Sequence, residues 1–181
     1  MYQLTTKRLF LRAYQLSDAA NLYHILQNNQ AHFEEYFPIM LELDDLEKCT
    51  QFIQEQIDGI QSKSKLAYGI YDLETGTYLG HIFLNDIEWV VPKGQIGYFI
   101  AKDWQGKGLI TEALQAFSQH CFDIWALEKL YLRTALNNIG SQRVALKAGF
   151  ELEGVIRSDF RTADDKLIDV YYYGKVKITA Q

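Results

Sequence analysis

The most informative segment of this chain is Gln95-Ile-Gly-Tyr-Phe-Ile-Ala-Lys-Asp-Trp-Gln-Gly-Lys-Gly-Leu-Ile-Thr-Glu-Ala-Leu114. Its first part carries the β-branched and aromatic residues of a buried strand, and its last part repeats apolar residues at helical spacing. Gly106 and Gly108 lie between the two parts and supply a permissive backbone. The segment therefore predicts a strand, a glycine turn and a helix. Because the first amides of a helix are unpaired and carry the positive end of its dipole, we expect this turn to bind a phosphate group.

Two well-known phosphate-binding motifs do not match this turn. The Walker pattern needs a glycine five residues before the Gly-Lys pair and a Ser or Thr directly after it, where this chain has Ala101 and Gly108. The dinucleotide fingerprint needs a third glycine, where this chain has Thr111. Neither of these two nucleotide-binding classes is indicated.

The run Gln105-Gly-Lys-Gly-Leu-Ile110 resembles instead the acyl-CoA signature of the GNAT superfamily of N-acetyltransferases, Gln/Arg-x-x-Gly-x-Gly/Ala. Ile110 departs from the small residue at the last position of that signature. A second block, from Asn138 to Arg157, resembles the Asn-x-x-Ser…Lys-x-Gly-Phe-x-x-Glu-Gly-x-x-Arg block of one GNAT branch. That branch contains the ribosomal-protein N-terminal alanine and serine acetyltransferases, and the resemblance extends over nearly the whole chain.

The resemblance implies the GNAT-like α+β fold. In that fold a mixed, mostly antiparallel sheet of about seven strands splays apart between strands 4 and 5, and helices cover both faces. The hydrophobic periodicity predicts the order β-α-α-β-β-β-α-β-α-β-β, with Ser17 as the cap of the first helix. Residues 28–38 are poorly periodic and predict either a surface loop with tucked aromatic side chains or, by the resemblance, the lip of the acceptor site.

Length and composition bound the class of protein. A chain of 181 residues that is 48% hydrophobic is expected to form one domain over residues 1–181 with a real core. It has no apolar run near the ~20 residues of a membrane span, and its start lacks the apolar core of a signal peptide, so we expect a cytoplasmic protein. The net charge of −5 argues against nucleic acid and favours a cationic partner such as an amine or a basic peptide. Cys49 and Cys121 lack metal or redox spacing, so we expect buried, reduced thiols and no metal.

Acetyl transfer from a thioester to an amine requires placement of the thioester, stabilisation of the oxyanion, deprotonation of the ammonium and protonation of the thiolate. By the resemblance, Phe99 to Ala101 form the strand edge that pairs with the pantetheine arm, and one of their amides stabilises the oxyanion. The pyrophosphate would meet the amides of Gln105 to Ile110 and the Thr111 hydroxyl. The residues expected to bind acetyl-CoA are Phe99, Ile100, Ala101, Gln105, Gly106, Lys107, Gly108, Leu109, Ile110, Thr111 and Asn138. Lys107 has the alternative of a solvated turn lysine, and Asn138 that of a helix cap.

The proton-transfer residues are less well defined by the sequence. Many GNAT members carry a tyrosine seven residues after the asparagine, where this chain has Ala145. Ser141 is therefore the candidate that hydrogen bonds the departing sulfur, by itself or through water, and it is also a candidate N-cap of its helix. Asp159 and Glu88 are carried as weak candidates for the general base, with a water-mediated base as an alternative. Further groups considered for the base are Asp86, His81 and Gln95, which stands where relatives often carry Glu.

These residues predict an acetyl-CoA-dependent N-acetyltransferase that acts on a primary amine by direct transfer in a ternary complex. The resemblance favours the N-terminal α-amine of a ribosomal protein as the acceptor. Two alternatives stay open: a small-molecule amine such as a polyamine or an aminoglycoside, and a non-catalytic module that binds acyl-CoA. No nucleic acid or membrane partner is expected, and a homodimer is common in the resembled branch.

Overall fold

The computed structural model describes residues 3–178, which form one eight-stranded sheet with helices on both faces. The strands are β1 (Gln3–Thr5), β2 (Leu9–Ala13), β3 (Leu66–Asp72), β4 (Tyr78–Glu88), β5 (Lys93–Ile100), β6 (Lys129–Ala135), β7 (Glu151–Arg161) and β8 (Leu167–Val176). The α-helices are α1 (Ala19–Asn28), α2 (Gln30–Tyr36), α3 (Leu46–Gln61), α4 (Leu109–Asp123) and α5 (Ile139–Lys147). Short 3-10 helices span Leu16–Asp18, Pro38–Glu42 and Lys102–Trp104.

The strand order is β1-β2-β3-β4-β5-β6-β8-β7, and every neighbouring pair is antiparallel except β5 and β6. The parallel pairing of β5 with β6 starts at Lys93 opposite Lys129 and stops at Gln95 opposite Tyr131. Both strands continue beyond that point, to Ile100 and Ala135, without pairing to each other. The sheet therefore splays open between these strands, which confirms the predicted mixed α+β fold with a split sheet.

Two cores lie on opposite faces of the sheet because the side chains of each strand alternate between the faces. On one face Phe117 of α4 packs against Ile82 and Ile96 of the sheet. On the other face Phe33 and Ile53, from α2 and α3, pack with Phe99 of β5. The inner strands are thus apolar on both faces, as the sequence of residues 66–71 indicates. Cys49 and Cys121 are buried free thiols, one in each core.

Three sequence-based expectations need correction. The sheet has eight strands where about seven were expected, because β1 is only three residues long and too short to show a periodicity. Residues 28–38 are largely helical, as α2, where a loop was one expectation. Ser17 is not a helix cap, since it lies inside the 3-10 turn and the Gln15 amide donates instead to the Asp18 carboxylate at 2.8 Å.

Within residues 3–178, no helix combines the length and the apolar character that a membrane-crossing helix requires.

Candidate functional site

The splay between β5 and β6 opens a cavity of about 630 Å³. This is within the usual range for small-molecule sites in proteins. The start of α4, residues of α5 and β7, and residues 36–39 all line this cavity. One space therefore adjoins the glycine turn, α5 and β7.

The glycine turn is built from two left-handed residues. Gly106 has a φ of 72° and Gly108 a φ of 76°, a backbone region that side chains with a Cβ seldom adopt. Gly108 is the N-cap of α4, which begins at Leu109. The residues from Gly108 to Thr111 all line the cavity. The turn thus presents the start of a 15-residue helix to the cavity, as the sequence predicts.

Glu112 fixes this turn to the edge of the sheet. Its carboxylate accepts hydrogen bonds from the Thr6 hydroxyl at 2.6 Å and from the Arg8 backbone amide at 2.8 Å, and it pairs with the Arg8 guanidinium at 2.7 Å. Burial raises the pKa of Glu112, but the hydrogen bonds from Thr6 and Arg8 outweigh it and hold the pKa below its ordinary value. Arg8 also donates to the Lys107 carbonyl at 2.9 Å. Glu112 is the one acid in the first turn of α4, and its negative charge is balanced by Arg8. It therefore does not oppose an anion at the glycine turn.

Fewer backbone amides of residues 99–101 face the splayed edge than the resemblance implies. The Ala101 amide donates to the Leu79 carbonyl at 2.9 Å, and hydrogen-bonded pairs alternate along an antiparallel ladder. The Phe99 amide consequently faces β4 as well, opposite His81. Of the three predicted residues, only Ile100 turns its amide toward the splayed edge. Ala101 does not line the cavity, and Phe99 lines it without a free amide.

The side chain of Lys107 contacts an aromatic ring. Its ammonium lies 4.5 Å from the centre of the Trp104 ring, and the residue does not line the cavity. The ammonium thus makes a cation–π contact with Trp104, which does line the cavity. The other predicted residues, Gln105 to Gly106, Gly108 to Thr111 and Asn138, do line it.

Asn138 and Ser141 share the start of α5. The Asn138 side-chain carbonyl accepts the Ser141 amide hydrogen at 3.0 Å, so Asn138 is the N-cap and Ser141 is not. The Ser141 hydroxyl is thereby left for other contacts, and its oxygen lies 2.9 Å from the Tyr98 hydroxyl oxygen of β5. Burial raises the pKa of Tyr98. All three residues line the cavity.

The structure separates the two candidate bases. Asp159 lines the cavity and pairs with Arg133 of β6, with 3.0 Å between Oδ2 and Nη1. Glu88 does not line the cavity: it follows an irregularity in β4 after Asn85 and pairs with Lys93 at 2.9 Å. The expectation that Glu88 lies near the cleft is therefore wrong.

Of the other candidates for the base, one lines the cavity and two do not. His81 is buried away from the cavity, its Nδ1 is 2.6 Å from the Tyr14 hydroxyl, and burial lowers its pKa to about 3. Asp86 is likewise outside the cavity, while Gln95 lines it with a buried side-chain oxygen that has no hydrogen-bond partner. Among the described residues, no cluster of His, Cys, Asp or Glu side chains is placed to hold a metal ion.

Sequence reasoning missed two polar residues of the site. The sequence places Tyr98 in a buried strand, and it places His32 in the segment that predicts either a surface loop or the lip of the acceptor site. His32 lines the cavity, and its Nε2 lies 3.3 Å from the Gln105 amide nitrogen. Burial lowers the pKa of His32, partly offset by Glu35. The alternation of side chains along β5 predicts on which face of the sheet Tyr98 lies. Only the splay between β5 and β6 shows that this face borders a cavity.

Comparisons with known proteins agree with this architecture. A family model described as an acetyltransferase (GNAT) domain matches residues 8–151. The probable N-acetyltransferase YjcK of Bacillus subtilis is 27% identical over 87% of this chain and 88% of its own length. The ribosomal-protein-serine acetyltransferase of Escherichia coli is 33% identical over 54% of each chain. The spermidine N(1)-acetyltransferase of Escherichia coli is 28% identical over 76% of this chain and 70% of its own.

The same fold occurs in solved structures. A structure described as RimL, a ribosomal L7/L12 alpha-N-protein acetyltransferase in complex with coenzyme A, superposes with a TM-score of 0.90. It is 23% identical and the match covers 97% of this chain and 98% of that one.

Proposed function

The chain belongs to the GNAT family of acetyltransferases, and from this premise we propose that it transfers acetyl from acetyl-CoA to the N-terminal α-amine of a protein. Residues 1–181 act as one catalytic domain in this proposal, and a ribosomal protein is the favoured acceptor. The observation that carries the proposal is the single cavity that joins the glycine turn, the Ser141 hydroxyl and the Asp159 carboxylate. An acyl donor and an amine that both enter this cavity would meet between the two proton-transfer groups.

The residues of the cavity fit acetyl-CoA. The turn from Gly106 to Thr111 offers the amides of a helix start to a pyrophosphate, and Glu112 beside it is already neutralised by Arg8. The splayed edge leaves backbone groups of Tyr98 and Ile100 without a strand partner. An amide-rich arm such as pantetheine would pair with that edge as an added strand does. Bound acetyl-CoA supplies a thioester as an activated acetyl group.

Each of three residues near the expected thioester position takes one step of the transfer. Ile100 offers its amide to the carbonyl oxygen as negative charge develops there. Asp159 accepts a proton from the acceptor ammonium, directly or through a water, and the neutral amine then attacks the thioester carbonyl carbon, so that the new N–C bond forms and the C–S bond breaks. Ser141 gives its hydroxyl hydrogen to the departing sulfur. No protein nucleophile is required, so both substrates are bound together.

Charge and the comparisons favour a protein acceptor among three candidates. The net charge of −5 favours a cationic acceptor, and two relatives named as ribosomal-protein acetyltransferases share the fold or part of the sequence. The spermidine acetyltransferase relative keeps a small amine as the second candidate. A module that binds acyl-CoA without catalysis is the third, because the tyrosine found in many GNAT members is replaced by Ala145.

Steady-state kinetics with both substrates varied test the direct transfer. Intersecting double-reciprocal lines are expected, whereas parallel lines would indicate an acetylated enzyme and overturn the mechanism. Ser141→Ala is expected to lower kcat about a hundredfold while the affinity for acetyl-CoA persists. Ser62→Ala, at the end of α3, is the matched control and keeps full activity. Unchanged turnover in Ser141→Ala would remove Ser141 from the mechanism.

A further inference from the structure

We propose that Tyr98 is a positioning residue for acetyl transfer: its hydroxyl donates a hydrogen bond to the Ser141 hydroxyl oxygen and so directs the Ser141 hydrogen into the cavity. This inference rests on the role of Ser141 in the proposed function. It assigns to β5 a second task besides pairing with the acyl donor. It also explains how a serine replaces the tyrosine that is missing at position 145.

Three contacts fix Ser141 in place. Its amide donates to the Asn138 side chain at 3.0 Å, which sets the backbone at the start of α5. Its hydroxyl oxygen lies 2.9 Å from the Tyr98 hydroxyl oxygen, and its carbonyl oxygen lies 3.4 Å from the same Tyr98 atom. The Tyr98 ring is packed against the core beneath α4. The phenol oxygen is therefore held opposite two oxygens of one residue.

The lengths of the two contacts favour one direction for the short hydrogen bond, because 3.4 Å lies beyond the usual O–H···O range and 2.9 Å lies within it. Each hydroxyl carries one hydrogen, and the Ser141 carbonyl can only accept. If Ser141 donated to Tyr98, the phenol hydrogen would have only the 3.4 Å contact left, and the Ser141 hydrogen would point away from the cavity. If Tyr98 donates, the 2.9 Å bond uses the phenol hydrogen and leaves the Ser141 hydrogen free. A phenol is also the stronger acid of the two groups and the better donor.

Burial supports the same assignment. Tyr98 is partly buried, and burial raises its pKa, so the phenol keeps its hydrogen through neutral and mildly alkaline pH. Tyr98 is consequently a lasting donor and not a source of the transferred proton. Ser141 passes its hydrogen to the thiolate, the Tyr98 bond stabilises the charge left on the serine oxygen, and the second proton that the acceptor nitrogen loses returns to Ser141 through water in the cavity.

A double-mutant cycle tests this arrangement in the full-length enzyme. Tyr98→Phe is expected to lower kcat about tenfold, the effect of one hydrogen bond, with the KM for acetyl-CoA unchanged. In a Ser141→Ala background the same change is expected to have no further effect on kcat, because its target is gone. Tyr131→Phe is the matched control and keeps full activity, since Tyr131 stacks on Tyr172 outside the cavity. An equal loss from Tyr98→Phe in both backgrounds, or no loss in the wild-type background, would overturn the proposal.

A second substitution keeps the test valid if Tyr98→Phe does not fold. Replacement of Tyr98 by a fluorinated tyrosine preserves the ring and the hydroxyl but gives a phenol of lower pKa. Once deprotonated, residue 98 would accept from Ser141 and turn its hydrogen away, so the alkaline loss of kcat should move to lower pH. An unmoved alkaline limb would contradict the proposal. A wild-type enzyme that releases no thiol from acetyl-CoA with any amine would instead remove the proposed function itself.

Discussion

Arg133 and Asp159 meet inside the cavity, with Nη1 of the arginine 3.0 Å from Oδ2 of the aspartate. The approach depends on an irregularity in β7 between Ile156 and Phe160. Ser158 there has a φ of 53°, and its amide donates to the Asp169 carboxylate at 3.0 Å. Bulges of this kind re-aim a side chain out of the regular ladder. Asp159 is thereby held on the wall of the cavity in a defined orientation.

Asp159→Asn is expected to lower kcat about a hundredfold or more, because an amide cannot accept the proton that the ammonium must lose. The KM for acetyl-CoA should stay within about twofold, since Asp159 belongs to β7 and not to the glycine turn. Glu88→Gln is the control, because Glu88 lies outside the cavity and pairs with Lys93. Equal activity of the two variants would exclude Asp159 as the base and favour the water-mediated alternative.

Gly108→Val is expected to abolish measurable binding of acetyl-CoA, as followed by calorimetry. Valine at a φ of 76° strains the N-cap of α4 and adds bulk where the pyrophosphate must approach. Gly76→Val provides a control with the same backbone strain, since Gly76 has a φ of 71° and open space around it in the turn between β3 and β4. Both variants should lose about 1–2 kcal/mol of unfolding free energy. Retained affinity in Gly108→Val would refute the assignment of the cofactor site.

The free energy of unfolding should decrease as pH is lowered, because His81 is buried in its neutral form. Burial lowers the pKa of folded His81 to about 3, while an unfolded histidine has a pKa of about 6.5. Between these values the unfolded chain binds a proton that the folded chain does not. The free energy of unfolding is therefore fully present above pH ~6.5 and decreases as pH falls, by up to about 1.4 kcal/mol per pH unit from this group.

Urea unfolding of His81→Gln at several pH values between 7 and 4.5 measures this contribution. The unfolding free energy of the variant should depend less steeply on pH than that of the wild type. At the acidic end, the difference in slope should correspond to about one bound proton. His24→Gln serves as the control because His24 lies exposed on α1. Parallel curves for the wild type and His81→Gln would show that His81 titrates alike in the folded and unfolded chains.

Much of the fold is readable from the sequence because its signals are local. The strand, the glycine turn and α4 follow from residue type and spacing, and Asn138 at the start of α5 is a residue that suits helix caps. The two cores follow from strands that are apolar on both faces. The resemblance to one family then orders these elements into a splayed sheet.

The errors arise where a residue's environment depends on distant chain segments. Glu88 and Asp159 are both acids near the ends of strands, and only the opposite effects of two strand irregularities place one outside the cavity and the other within it. The amide directions of Phe99 and Ala101 depend on the register with β4, which residue type does not specify. Tyr98 reads as a core residue until the splay is known.

The central claim is best tested by free thiol release from acetyl-CoA in the presence of different amines. The panel contains peptides that begin with Ser, Ala or Met, together with spermidine and an aminoglycoside. We predict thiol release with the peptides, and mass spectrometry should then find the added acetyl group on the α-amine. Release with spermidine or the aminoglycoside alone would contradict the protein acceptor, and tight acetyl-CoA binding with no release from any amine would contradict catalysis itself.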